Sequence, residues 1–211
     1  MDAFRTDYGK YGYEGELKTL LTSKEGFKSI GLTTSDDKDK NWMGTFDGNN
    51  NEICNLYINL TSDEKAGKIG LFSNNFGNIK NVYLKNVNLH LECSYAAVGA
   101  ISGQNSESGN ISGCTVSGKI YNKSTRGIAG GSGNGKILNC YNKGSIDGSS
   151  DIFRCGGIIG YGFNSIENCY NSGEMKGTGK SECYIGMLVG RKKDIKGINN
   201  KYPILKNIKY Y

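Results

Sequence analysis

Seven cysteines, one histidine and a scatter of carboxylates are the residues of this 211-residue chain that could do metal or covalent chemistry. No two cysteines have the C-x-x-C spacing of a zinc ribbon, seven is an odd number for a disulfide framework, and His90 alone cannot supply the several imidazoles or carboxylates of a catalytic zinc. No metal site is therefore expected. The stretch GGSGNGKI, residues 130 to 137, meets the G-x-x-x-x-G-K spacing of a phosphate loop, but Ile137 stands where a magnesium-binding Ser or Thr is required and no helical pattern follows. It is expected to be a corner loop. In DGNNNE, residues 47 to 52, Asp47, Asn49 and Asn51 alternate as in a calcium loop, yet Glu52 replaces the required glycine, so a tight turn is expected. Asp147, Glu167 and Glu174 fall in different columns of the pattern described next, whereas glycoside hydrolysis needs two facing carboxyls. No catalytic residue, metal or cofactor is assigned.

The elements that would carry these residues are set by an internal repeat. GKILNCYNKGSI at 135 to 146 returns as NSIENCYNSGEM at 164 to 175. Aligned on the isoleucine, Ile53, Ile79, Ile111, Ile137, Ile166 and Ile195 form one column with steps of 26, 32, 26, 29 and 29 residues. A second column, Gly70, Gly99, Ala129, Gly157 and Gly186, has steps of 29, 30, 28 and 29. Two columns in one phase, at a period within the range of solenoid repeats, predict stacked coils. Three residues after each isoleucine stands Leu56, Val82, Cys114, Cys140, Cys169 or Ile198, always small or apolar, so the cysteines read as core residues. Cys114, Val116, Gly118 and Ile120 then alternate inward with Thr115, Ser117 and Lys119 outward, the period of a half-buried strand. Isoleucine and cysteine both face inward only if the chain turns between them. Asn55, Asn81, Asn139 and Asn168 supply that corner because Asn tolerates left-handed backbone geometry, and Gly113 and Gly197 fill it elsewhere.

Composition agrees with a turn-rich β protein: 32 glycines against one proline, 14 tyrosines, and a hydrophobic fraction of 36% without a collagen period. The expected fold is an all-β, right-handed parallel β-solenoid of about six coils over residues 42–200. Residues 1–41 would form an N-terminal cap with a short helix, from Leu17, Leu20 and Leu21 at helical spacing, and residues 201–211 a basic C-terminal cap or tail. No run of about 20 apolar residues is present to span a bilayer. The opening MDAFRTDYGKYGYEG lacks the charged start and apolar run of a secretory signal, so the chain reads as cytosolic or as a domain excised from behind its signal. Charge is uneven: residues 1–70 hold 9 basic against 12 acidic side chains, net −3, and the remainder 17 against 8, net +9. The run RKKDIKGINNKYPILKNIKYY could attract acidic polymers, but no sequence-specific nucleic-acid module is visible.

With its repeat laid out, the chain resembles the GLUG-motif β-solenoid repeats of bacterial surface proteins, whose units read V-G-G-L-V-G and then I-x-N-C-Y-x-x-G-x-V. The resemblance covers about residues 42 to 200. Its most specific marker is WMGTFDGNNNEICNLYI, residues 42 to 58, similar to the segment that opens such arrays. The resemblance implies an extracellular or cell-surface location and a role in adhesion to host or cell-surface glycan or protein. Such repeats also precede bacterial immunoglobulin A metallopeptidases, but H-E-x-x-H is absent here, so no peptidase activity carries over.

The contact residues would lie in two outward columns: Tyr57, Tyr83, Thr115, Tyr141 and Tyr170, and beside it Asn59, Lys85, Ser117, Lys143 and Ser172. Exposed rings of low rotamer entropy suit recognition, and tyrosine also stabilises sheets by cross-strand stacking. Tyr57, Tyr83, Lys85, Tyr141, Lys143 and Tyr170 are accordingly the candidate ligand-binding residues of a non-catalytic binding module. Two other readings are a polysaccharide-acting β-helix enzyme and a structural stalk presenting another domain. The sequence leaves the oligomeric state open.

Overall fold

The described strands pair in parallel with strands roughly one coil away in the chain, so that like residues lie over like. The structure, a computed structural model, describes residues 26–31, 41–61, 67–93, 96–122, 125–132, 135–148, 152–162, 165–178, 182–191 and 205–206. These residues make a parallel β-solenoid of about four turns with three faces and no helix. The helical N-terminal cap expected around Leu17 to Leu21 lies outside the described residues. The described segment that follows it is extended: Gly26 bridges Ile58, and Ile30 bridges Phe72.

The first face is narrow and built on the isoleucine column. Thr45–Asp47, Asn78–Lys80, Asn110–Ser112, Lys136–Leu138, Ser165–Glu167 and Leu205–Lys206 follow one another across it. Their middle residues stack as Phe46, Ile79, Ile111, Ile137 and Ile166, with Leu205 opposite Ile166. The four isoleucines are fully buried, each worth about 1.5–3 kcal/mol of transfer free energy. Two members of the expected column are thus corrected or displaced. Ile53 lies opposite Leu84 on the next face and Phe46 takes its place. Ile195 lies outside the described residues, and Leu205 is the partner of Ile166.

The second face carries the tyrosines. On Tyr83–Leu91 are seated Glu52–Cys54 and Tyr57–Leu60 below and Thr115–Asn122 above. Tyr141–Asn142 and Ser145–Asp147 follow, then Tyr170–Asn171. The third face is glycine-rich: Lys68–Ile69 with Phe72–Asn75, Ala97–Asn105, Thr125–Ser132, Ile152–Gly156 with Ile159–Tyr161, and Glu182–Gly186 with Val189–Arg191. Here Gly99 lies over Gly127, and Gly156 over Gly186. The expected Ala129 and Gly157 are displaced from that column because Ala129 lies opposite Ser102 and Ile159. Glycine is required in it because neighbouring coils approach too closely for a side chain: a Cβ on Gly99 would meet the Ala129 Cα at 2.7 Å.

The corners follow from asparagine chemistry. Asn81, Asn139 and Asn168 have φ of 55°, 53° and 52°, with Gly113 at 61°, the left-handed region that Asn and Gly enter at least cost. The Asn168 amide donates to Asn139 Oδ1 at 3.0 Å, and the Asn81 amide to Asp47 Oδ1 at 3.0 Å, so the corners are tied along the axis. Asn55, expected at this corner, serves a second one. With φ 61° it stands beside Asn86, φ 56°, where Lys85 and Asn86 together oppose Ser117 and bulge the tyrosine face. Leu56 accordingly leaves the cysteine column, which is Val82, Cys114, Cys140 and Cys169. All three cysteines are fully buried.

The core runs along the axis between the three faces. Below the first described coil, the rings of Trp42, Phe46 and Phe72 meet with centroids 5.0 to 6.5 Å apart, covering that end of the core.

Candidate functional site

The tyrosine face positions five of the six expected contact residues as foreseen. Tyr83, Tyr141 and Tyr170 share one file with Thr115, and Lys85 and Lys143 share the next with Ser117 and Ser172. Tyr57 does not join them. It pairs with Asn88, and Glu52 occupies the place opposite Tyr83. The cause is the first corner, where residues 48 to 51 fill a turn that the next coil makes with 81 and 82 alone. Asn59, expected at the foot of the lysine file, likewise pairs with His90, and Cys54 stands opposite Lys85.

Contacts within the face, rather than burial, hold these side chains. Tyr141 and Tyr170 stack with ring centroids 4.0 Å apart at 29°, the Lys143 ammonium stands 4.9 Å from the Tyr141 ring centroid, and the Tyr141 hydroxyl is 2.7 Å from Ser172 Oγ. Ring faces turned toward neighbouring coils do not face solvent. Tyr170, 38% exposed, is the last described rung of its file and carries the outer ring of the stack. What the file offers sideways is edges, hydroxyls and ammonium groups. At its foot the Lys85 ammonium donates to both Glu52 carboxylate oxygens, at 3.3 and 3.1 Å. That bond, together with the Glu52 charge, raises the pKa of Lys85.

A second pair of rings was not foreseen as a site. His90 and Tyr121 stack with centroids 4.7 Å apart at 13°, and His90 Nε2 lies 3.4 Å from Glu92 Oε1. Their signal was available: His90 and Tyr121 stand at outward positions of the same period as the tyrosines, paired with Asn59 below and Asp147 above. Also unread were Asn142 and Asn171, buried polar residues in the inward column of Leu84 and Val116. Asn142 Nδ2 donates to Asn171 Oδ1 at 2.8 Å, and each asparagine side chain accepts from a glycine N–H two residues on, Gly144 at 3.0 Å and Gly173 at 3.1 Å.

The cysteine file is a packing feature with repeated hydrogen bonding. The thiols of Cys114, Cys140 and Cys169 donate to the carbonyls of Ser112, Leu138 and Glu167 at 3.3, 3.2 and 3.3 Å. Burial, reinforced by the flanking thiols, pushes the Cys140 thiol well up, while the bond from Cys140 lowers Cys114 and Cys169. Of the GGSGNGKI segment, residues 130 to 132 end strand Thr125–Ser132 and Lys136 and Ile137 open strand Lys136–Leu138, so its lysine stands in a strand and not in the first turn of a helix that could bind phosphate.

At DGNNNE the Asp47 carboxylate is occupied by donors. It accepts from Asn49 N at 2.9 Å, from the Asn81 amide at 3.0 Å and from Lys80 Nζ at 3.0 Å. The Asn49 N–H first, then Lys80 and Asn81, hold its pKa below the usual carboxylate value. A lowered folded pKa means stability present above the ordinary carboxylate range and lost as pH falls through the folded value. Denaturant midpoints measured from about pH 5 down to about pH 2 should therefore fall for the parent, and that fall should be shallower in Asp47→Asn. Equal acid limbs in the two proteins would show that the corner does not depend on the charge.

Among the described residues no group of three or more His, Cys, Asp or Glu side chains is arranged to hold a metal ion. Among them there is also no helix long and apolar enough to cross a membrane. Comparison with protein-family models, with curated proteins and with solved structures yields no match for this chain.

Proposed function

We propose that the chain is a non-catalytic, surface-exposed binding module that recognises a glycan or a cell-surface protein through the tyrosine face. One observation carries this reading: Tyr83, Tyr141 and Tyr170 with Lys85 and Lys143 form two adjacent outward files on one parallel sheet. The Tyr141–Tyr170 stack, the Lys143 contact with the Tyr141 ring and the Lys85–Glu52 bond hold four of those side chains before any ligand arrives, which lowers the entropy lost on binding. Tyr57 shares the face without sharing the file, and is a peripheral contact in this reading. The carboxylates give an enzyme little support: Asp147 lies on the tyrosine face, Glu167 on the isoleucine face, and Glu174 is paired with Lys176 at 2.9 Å.

The same reading places the chain among the GLUG-type repeats of bacterial surface proteins, with a right-handed coil sense, about six coils, a helical N-terminal cap and an extracellular location. The G-T-F-D-G segment supports it, since it forms the first strand of the isoleucine face. The test is binding of the whole chain to a glycan array and to intact cells. Tyr141→Ala with Tyr170→Ala should lower affinity by about ten-fold or more, the amount expected when two stacked aromatic contacts are truncated. Undiminished binding by the double variant would refute the tyrosine face. Release of reducing ends from a polysaccharide panel would replace the module with an enzyme.

A further inference from the structure

The lysine file alternates. Reading along the axis from the second described coil, it runs Lys85, Ser117, Lys143, Ser172, so ammonium groups recur on every second rung with a hydroxyl between. Rungs of a parallel sheet are about 4.8 Å apart, which spaces the two lysines about 9.6 Å along the axis. We propose that this file is a subsite for an acidic polysaccharide lying along the solenoid axis, with its negative charge on every second sugar. The inference rests on the binding-module reading and names its ligand class.

Geometry and charge both favour that occupant. A chain charged on every sugar would bring alternate acids against Ser117 and Ser172, which have no charge to offer, whereas one charged on alternate sugars meets ammonium each time and hydroxyl between. Ser117 Oγ accepts from Asn86 N and donates to the Leu84 carbonyl, both at 3.4 Å, and Ser172 Oγ is 2.7 Å from the Tyr141 hydroxyl. Lys143, at 4.9 Å from the Tyr141 ring centroid, is steered by that ring. Lys85 is tied to Glu52, but both side chains are about half exposed, at 53% and 47%. Such a pair exchanges a carboxylate for a ligand anion at little cost. In sequence, residues 71–211 carry 17 basic against 8 acidic side chains, a net charge of the sign that attracts such a polymer. A single-stranded nucleic acid fits less well, because it wants open ring faces for its bases and Tyr141 has given one of its faces to Tyr170.

The test compares hyaluronate oligosaccharides, acidic on alternate sugars, with polygalacturonate, acidic on every sugar, and with a neutral dextran, by calorimetry on the full chain. The expected result is tightest binding to hyaluronate, weakening with added salt, and weakened at least about ten-fold in the Lys85→Gln plus Lys143→Gln variant. Both positions are exposed, so the variant should melt with the parent, and a melt by circular dichroism checks that it does. Equal affinity for polygalacturonate, or unaltered affinity in the lysine variant while the tyrosine variant loses binding, would overturn the alternate-rung match and leave the wider reading standing. Binding to no glycan, with cell binding retained and dependent on the tyrosines, would overturn the ligand class. Loss of all binding by the parent would remove both.

Discussion

Gly99→Ala should abolish cooperative folding. An added Cβ there would lie 2.5 Å from Gly130 N and 2.7 Å from Ala129 Cα, and would also run into the Ser102 carbonyl, all backbone atoms. Backbone of the next coil cannot rotate away as a side chain can, so relief requires parting two strands whose hydrogen bonds hold the glycine face together. A cost above about 4 kcal/mol is expected, within the range reserved for overpacking and broken ladders and comparable to the whole stability of many domains. The control is Gly131→Ala, on the next coil of the same face. Its Cβ would meet nothing closer than the Ala97 Cβ at 3.6 Å. That substitution should be neutral, or stabilising by up to about 1 kcal/mol through the unfolded chain. Thermal melts and limited proteolysis distinguish the two, and equal melting of both variants would show that coil spacing tolerates a methyl group at Gly99.

Asn142→Val should destabilise by about 2–4 kcal/mol although valine is what the coil below carries in that column, at Val116. The substitution removes the acceptor for Gly144 N–H and the side-chain donor to the Gly144 carbonyl in the interior, and takes one of two donors from Asn171 Oδ1, which keeps the Gly173 N–H. Asn171→Val should cost a similar amount, because it strands the Gly173 N–H and carbonyl in the same way while Asn142 Nδ2 keeps the Gly144 carbonyl at 3.1 Å. The double variant should then cost less than the two single variants combined, with a coupling of about 1–2 kcal/mol in a double-mutant cycle. Urea melts of the four proteins measure it. Strict additivity would mean that the two amides act independently despite their 2.8 Å bond.

Much of this fold was legible in the sequence because each rung is nearly a copy of the last. Ile79, Ile111, Ile137 and Ile166 stack as expected, and so do Cys114, Cys140 and Cys169. Asn81, Asn139 and Asn168 adopt the left-handed corners that their chemistry suggests. The first coil misled for a physical reason. Asparagine serves two corners, so the Asn55 of EICNL resembles the Asn81 of NIKNV while doing the work of Asn86, and Ile53 and Leu56 move with it. On the glycine face, neighbouring glycines offered several equally good alignments, and the register that puts Gly127 opposite Gly99 and Gly156 opposite Gly186 exists only once the coils are stacked. Asn142 was invisible as a buried residue because its satisfaction depends on Asn171, twenty-nine residues away. The outward files were legible at Tyr83, Tyr141, Tyr170, Lys85 and Lys143, whose spacing follows the repeat, and Tyr57 falls outside its expected file because its spacing does not.

The two ends of the described rod are unlike. Trp42, Phe46 and Phe72 shut one of them, whereas at the other Ile185, which continues the column of the fully buried Cys155, is 46% exposed. A growing polypeptide leaves the ribosome with its shut end first. Every later winding then meets a completed edge ready to accept hydrogen bonds, and each needs only its predecessor as a mould. Assembly can therefore keep pace with translation, one layer at a time and in a single direction, without waiting for a distant partner strand to be made.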